Sequence, residues 1–180
     1  MKTEPLFAMP FWQVSCKRWK QRKKKLIEML DPYLERKVTP ANFHSNRYVK
    51  DKSELISGFY NLFKTELSSF SKLIKSNYQI SDLWSSSYDK GDYQNPHTHG
   101  ATGYSAVLYV DLPSLSSPTR FVQPWNDPVI DQTLLRNVYV KEGDIIIFPK
   151  IVLHFSPPNQ DKKRKRIVSW DMEPTPWLQN

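Results

Sequence analysis

Cysteine occurs once, glycine five times, and no long apolar run appears anywhere in this 180-residue chain. Each scarcity excludes something. A lone Cys16 cannot close an internal disulfide, so a disulfide scaffold is out and a reducing, cytoplasmic setting is expected. Five glycines cannot supply the every-third-residue glycine of a collagen-like fibre. The longest uncharged apolar runs, such as residues 145–149, fall far short of the roughly 20 residues a bilayer-crossing helix needs, so no membrane is expected. Only Lys2 precedes Glu4, and the stretch 6–12 is broken by Pro10, so no secretory leader is expected either. What remains is 39% hydrophobic, 24% charged and 13% aromatic, the composition of a globular domain. A chain of this length can bury roughly 70% of the surface its unfolded form exposes.

Positive charge is plentiful but local. Seven of the nine residues from Lys17 to Lys25 are basic, as are all five from Lys162 to Arg166. These twelve exceed the net charge of +8, so the rest of the chain is about four charges negative. The two clusters can contact phosphates, giving a weak nucleic-acid contact, although a charge run is more often a solvated face.

The front half reads helical. Trp19, Leu26, Ile27, Leu30 and Leu34 form an apolar stripe within 17–36, and Asp31-Pro32 should end or kink that helix. Residues 38–50, with Pro40 and a lone His44, read as a connector. A second helix starts near Asp51 or Ser53, with its stripe running from Leu55 to Ile74. After Asn77 the pattern turns to short β-branched and aromatic runs: 82–88, 105–111, 119–122, 137–140, 144–148 and 167–171. Glu142-Gly143 is a tight-turn signal, and 174–180 reads as a surface tail. Six strands without intervening helices suggest a sandwich or jelly roll. The expected fold class is α+β. Residues 1–77 should form a helical segment packed on one sheet, without independent stability, and residues 78–180 the jelly-roll core.

Three of the four histidines lie in the β half. His97 and His99 are one residue apart, so on a strand both would project to one face and could meet one metal ion. His154 follows 57 residues after His97, just past the strand 144–148, and Arg166 opens the next strand. Such a facial set of ligands with open positions suits non-haem Fe(II). A buried arginine nearby can hold a carboxylate through two hydrogen bonds. His44 reads as an ordinary satisfied histidine, and Cys16 as an inert thiol with no activating partner.

Over roughly residues 82–172 these motifs, in this order, resemble the Fe(II)- and 2-oxoglutarate-dependent dioxygenases. The likeness is to the prolyl-hydroxylase-like group and its compact phage and bacterial relatives. It is carried by 86–91, His97-Thr98-His99, 105–111, Glu142-Gly143 leading into 144–149, His154, and Arg166 to Trp170. The resemblance implies a double-stranded β-helix core that couples decarboxylation of 2-oxoglutarate to succinate with oxidation of a substrate. It implies Fe(II), 2-oxoglutarate and O2, with ascorbate as a supporting reductant, and no protein acid or base. His97 and His154 match the metal-binding histidines, and Arg166, with Arg164 as its rival, matches the basic partner of the cosubstrate's far carboxylate. Tyr109 matches a tyrosine on that carboxylate, and Tyr88 one lining the pocket. The substrate stays open among a peptidyl or other protein side chain, a nucleobase and a small metabolite.

One position departs from the family pattern. A carboxylate is usual where His99 stands. Either His99 is a third ligand, or it flanks an iron held by two residues, or the site is inactive; Asp92 is the nearest alternative carboxylate. Fe(II) with three neutral histidines carries one more positive charge than with two histidines and a carboxylate. Two other functions compete: a cupin-like three-histidine metal oxygenase without 2-oxoglutarate, and a non-enzymatic basic nucleic-acid or protein-binding module.

Overall fold

The computed structural model describes residues 8–38 and 42–175. In chain order it contains β1 (Trp12–Ser15), α1 (Trp19–Leu30), β2 (Arg36–Val38), β3 (Phe43–Ser45), α2 (Ser53–Ile74) and β4 (Tyr78–Tyr88). There follow β5 (Gln94–His97), β6 (Tyr104–Asp111), β7 (Arg120–Asp127), β8 (Gln132–Asn137), β9 (Asp144–Pro149), β10 (His154–Ser156) and β11 (Lys165–Pro174). All pairings are antiparallel. A major sheet runs β1-β9-β6-β11-β4-β3-β2, and a minor sheet runs β5-β10-β7-β8.

The central strands are apolar without alternation because both of their faces are covered. On one face Leu83, Ala106, Leu108, Ile145, Ile147, Val168 and Trp170 meet the apolar stripes of the two helices. Trp170 is fully buried with its ring 4.9 Å from that of Phe59. Truncating such a ring costs about 3–5 kcal/mol. On the other face Tyr88, Val107, Tyr109, Ile146, Phe148 and Ile167 form a second core, closed from the minor sheet by Phe121, whose ring stands edge-on to Phe148 at 4.8 Å. This inner face holds the site. Arg22 joins the two helices by a two-pronged ion pair with Glu66, at 2.7 and 2.8 Å.

The turn before β9 requires its glycine. Gly143 has φ +84°, and a Cβ there would lie 2.6 Å from Trp19 Cγ. Its amide donates to Tyr109 O and its carbonyl accepts from Cys16, so the turn ties α1's approach to β6.

The first helix ends at Leu30, where Asp31-Pro32 is expected to end or kink it. Other expectations need correction. The segment 1–77 is not purely helical: β1 extends one end of the major sheet, and β3 and β2 extend the other. These strands are three or four residues long, too short to show a period, and only sheet partners reveal them. The strand expected at 137–140 is β8, at 132–137, whose Gln-Thr-Leu-Leu-Arg-Asn is exposed along its whole length and so carries no alternation. Pro40 of the connector and residues 176–180 of the expected tail lie outside the described residues.

Candidate active site

His97 closes β5, His154 opens β10, and the two are direct partners across that antiparallel pair, with ring centroids 4.4 Å apart. His99 lies past the end of β5, where its amide donates to Lys150 O at 3.0 Å. The expectation that one strand carries both His97 and His99 is corrected here. A backbone bond, not strand alternation, brings His99 in, and its ring centroid lies 5.1 Å from each of the other two. One nitrogen from each ring lies within 4.8 Å of the others.

The outer partners fix the tautomers. His97 Nδ1 faces Asn95 O and His154 Nδ1 faces Val152 O, both at 2.8 Å. A carbonyl only accepts, so each Nδ1 carries the hydrogen and each Nε2 is a lone pair. His99 Nδ1 lies 2.8 Å from Asp171 Oδ1, which places a hydrogen on Nδ1 and leaves Nε2 free of that contact. Gln94 Nε2 donates to His97 Nε2 at 3.2 Å, whereas His99 Nε2 is buried with no hydrogen-bond partner among the described residues. Burial lowers the pKa of His97 and brings that of His154 down to about 3, so both are neutral near pH 7.

Asp171 is buried and ionised. Burial pushes its carboxyl up, but hydrogen bonds from His99 and Ser105 and the charge of Lys150 outweigh this and hold it below the ordinary carboxylate value. Trp84 lies on the His99 ring at 5.5 Å with 24° between planes.

The cation reaching the inner face is Lys165, not Arg166. In β11 the inner-facing positions are Lys165, Ile167 and Ser169, and the helix-facing ones are Val168 and Trp170. Arg166 therefore faces away, half-buried, its Nε 3.9 Å from Asp111 Oδ2. Arg164 is spent on an exposed ion pair with Asp89, at 2.8 and 2.9 Å. Lys165 is 1% exposed and among the described residues donates only to neutral oxygens, Ser117 O at 2.8 Å and Ser156 Oγ at 2.7 Å, with the Tyr88 ring at 4.9 Å. Burial alone brings its ammonium down to about 7. Tyr88 donates to Gln94 Oε1 at 3.0 Å, and Tyr109 Oη accepts from the Thr119 amide at 3.1 Å. Both tyrosines are fully buried, and burial raises their pKa values, that of Tyr109 to about 12.

A family model described as "Putative 2OG-Fe(II) oxygenase" matches residues 82–171, half of the chain. The chain belongs to this family. Among solved structures, HygX from Streptomyces hygroscopicus, with nickel, 2-oxoglutarate and hygromycin B bound, is similar at 12% identity and a TM-score of 0.69, over 93% of this chain and 84% of that one. The viral collagen prolyl hydroxylase of Paramecium Bursaria Chlorella virus-1, in its 2-oxoglutarate complex, is similar at 15% identity and TM-score 0.60, over 92% and 96%. A Pseudomonas putida prolyl-4-hydroxylase gives 12% and 0.59, over 92% and 93%. These likenesses are of fold, the double-stranded β-helix. No curated protein sequence matches the chain. The protein is thus an Fe(II)- and 2-oxoglutarate-dependent oxygenase that turns 2-oxoglutarate to succinate as it oxidises a substrate.

The residues of this oxygenase fit its cofactors. A buried, partnerless imidazole nitrogen beside two more suits a divalent metal, and a buried ammonium bonded only to neutral oxygens suits a carboxylate. Asp92 stays out of the triad: it accepts from Asn42 Nδ2 and the Asp89 amide beside His44. Cys16 is buried and its thiol is pushed up to about 12, as an inert residue should be. The basic clusters are partly consumed, since Arg22, Lys23 and Arg164 pair with carboxylates and Lys165 is internal. No helix among the described residues is long and apolar enough to cross a membrane. A wider cleft of about 260 Å³ lies on the outer face, between α2 and β4, and holds no histidine or carboxylate.

Sequence reasoning missed Lys165, Asp171, Ser105 and Gln94. For Lys165 the sequence held the alternation but not its phase: once packing places Ser169 inward, counting back by twos along β11 reaches 167 and 165, not 166. Asp171 and Ser105 left no such trace, because their roles depend on where His99 comes to rest.

Proposed function

We propose that His97, His99 and His154 hold the Fe(II) of this oxygenase through Nε2, and that Lys165 holds the far carboxylate of 2-oxoglutarate, with Tyr109 and Tyr88 lining its berth. The observation that carries the reading is His99 Nε2, a buried nitrogen with no partner among the described residues, converging with two imidazoles whose Nδ1 hydrogens are already committed. When bound, the metal and cosubstrate supply the oxidising chemistry. The protein's own residues bind and orient. Lys165 offers a charge-assisted hydrogen bond in a water-poor site, with Ser117 O and Ser156 Oγ fixing its ammonium. Phe121, Phe148, Val107 and Ile167 exclude water. No side chain is assigned as acid or base.

Residues 1–77 belong to the same catalytic unit in this reading, because β1 and β3 pair with β9 and β4. A peptidyl residue is the favoured substrate. β8 is an exposed edge strand in the sheet that carries His154, and Trp125, Leu134 and Leu135 stand exposed on its hairpin with β7. An extended peptide can add to such an edge through backbone hydrogen bonds. Nucleic-acid contact keeps only the unpaired basic residues, and the cytoplasmic setting rests on the single buried cysteine.

The test is succinate formation from 2-oxoglutarate under air with Fe(II) and ascorbate, together with anaerobic titration of the Fe(II)–2-oxoglutarate charge-transfer absorption. Wild type is expected to show the absorption, His99→Ala to lose it, and Lys165→Met to require far more 2-oxoglutarate. An unchanged absorption in His99→Ala would sink the three-histidine assignment.

A further inference from the structure

We propose that Asp171 is the positioning residue of the metal centre, supplying through His99 the negative charge that a directly bound carboxylate would bring. This rests on the three-histidine reading above. Asp171 Oδ1 lies 2.8 Å from His99 Nδ1 and accepts a second hydrogen bond from Ser105 Oγ at 2.6 Å. Its Oδ2 lies 3.9 Å from the Lys150 ammonium, which Glu173 also pairs. Asp171 is 5% exposed and its Oδ1 takes two hydrogen bonds, so it is fixed one residue behind the ligand and does not compete for the metal.

The arrangement follows from strand geometry. Lys165, Ile167, Ser169 and Asp171 stand at every second position of β11, and Asp171 pairs with Ser105 of β6 in register. One strand thus carries the cosubstrate's cation at one end and the support of the third histidine at the other, about 20 Å apart along the backbone. Trp84, partnered with Ser169 across β4, lies flat on the His99 ring and blocks its rotation. His99 therefore has one orientation, with Nδ1–H toward Asp171 and Nε2 toward the other two histidines.

The charge bookkeeping explains the departure from the family pattern at residue 99. Fe(II) with three neutral imidazoles carries +2, and Asp171 returns the cluster to +1, the value two histidines and a bound carboxylate would give. A hydrogen-bonded carboxylate makes an imidazole a stronger donor, and losing such a partner typically costs 10–100-fold in metal affinity.

The test compares the full chain with Asp171→Asn, which keeps the size and an acceptor oxygen but removes the charge. Fe(II) affinity is measured anaerobically by competition with a coloured chelator, and the charge-transfer absorption is then recorded with 2-oxoglutarate added. Asp171→Asn is expected to bind Fe(II) 10–100-fold more weakly and to move the absorption to shorter wavelength, since a less electron-rich iron gives up charge less readily. Unchanged affinity and an unmoved absorption would overturn the role of Asp171 while leaving the three histidines standing. A wild-type chain that binds no Fe(II) would instead overturn the reading beneath it. Should Asp171→Asn fail to fold, nitrogen-15 NMR of Zn(II)-loaded wild type decides. A protonated His99 Nδ1 with Nε2 on the metal supports the proposal, and ligation through Nδ1 refutes it.

Discussion

Lys165 faces Tyr88 across the β11–β4 pair, its ammonium 4.9 Å from the ring centroid, while its neighbour Arg166 turns toward Asp111 on the opposite face. The two adjacent cations consequently have separate fates on substitution. Lys165→Met should raise the dissociation constant for 2-oxoglutarate roughly 10–100-fold, the worth of a hydrogen bond to a charged group at about 1.5–3 kcal/mol. Arg166→Ala should change it by less than about threefold, since Arg166 faces the opposite side of the sheet. Anaerobic titration of the charge-transfer absorption reads both.

The same lysine sets a pH dependence. Burial brings its ammonium down to about 7, against 10.5 for the ordinary group. Above pH 7 the free protein must take up a proton to bind the carboxylate, so 2-oxoglutarate affinity should fall by up to about tenfold per pH unit. Between pH 7 and 10.5 the unfolded chain holds the extra proton, so this group's contribution to stability rises with pH there and is lost as pH falls through 7. Lys165→Met should abolish that rise. Denaturant unfolding of both proteins at pH 6.5, 8 and 9.5 gives the comparison.

His154 acts at the acid end. Its pKa is about 3 in the fold, against 6.5 ordinarily, so the unfolded chain gains a proton first as pH drops. Its contribution is fully present above 6.5 and disappears as pH falls toward 3. Metal-free wild type should lose stability over that interval more steeply than His154→Phe, whose ring can keep the edge-on contact with Phe148. Equal slopes in the two proteins would contradict this.

Gly143→Ala should destabilise the fold by roughly 2–4 kcal/mol, through the positive φ and the overpacking of a new methyl against Trp19. Because the turn feeds β9 and not the histidines, metal affinity of the folded fraction should be unchanged. Urea unfolding and Fe(II) titration separate these two effects.

Much of the site was legible in the chain itself. Three histidines, spaced around the strands 105–111 and 144–148, stand out as candidate ligands, and the short apolar runs between them predict strands. Those runs suggested a sandwich or jelly roll, and the resemblance to the dioxygenases implied the double-stranded β-helix. The N-terminal strands were hidden because each is three or four residues long and owes its existence to a partner far away in sequence, β1 to β9 and β3 to β4.

Tertiary structure alone decided the rest, and the physical reason is register. Alternation along a strand has a period of two, so a one-residue error in its phase exchanges the inner and outer faces. Within 162–166 every side chain is basic, and composition could not say which of Lys165 and Arg166 looks inward; pairing of Ile167 with Tyr109 did. The sequence by itself singled out His97, His99 and His154 and the strands around them. Packing decided that Lys165 is its buried cation and that Asp171, 72 residues beyond His99, stands behind the third imidazole.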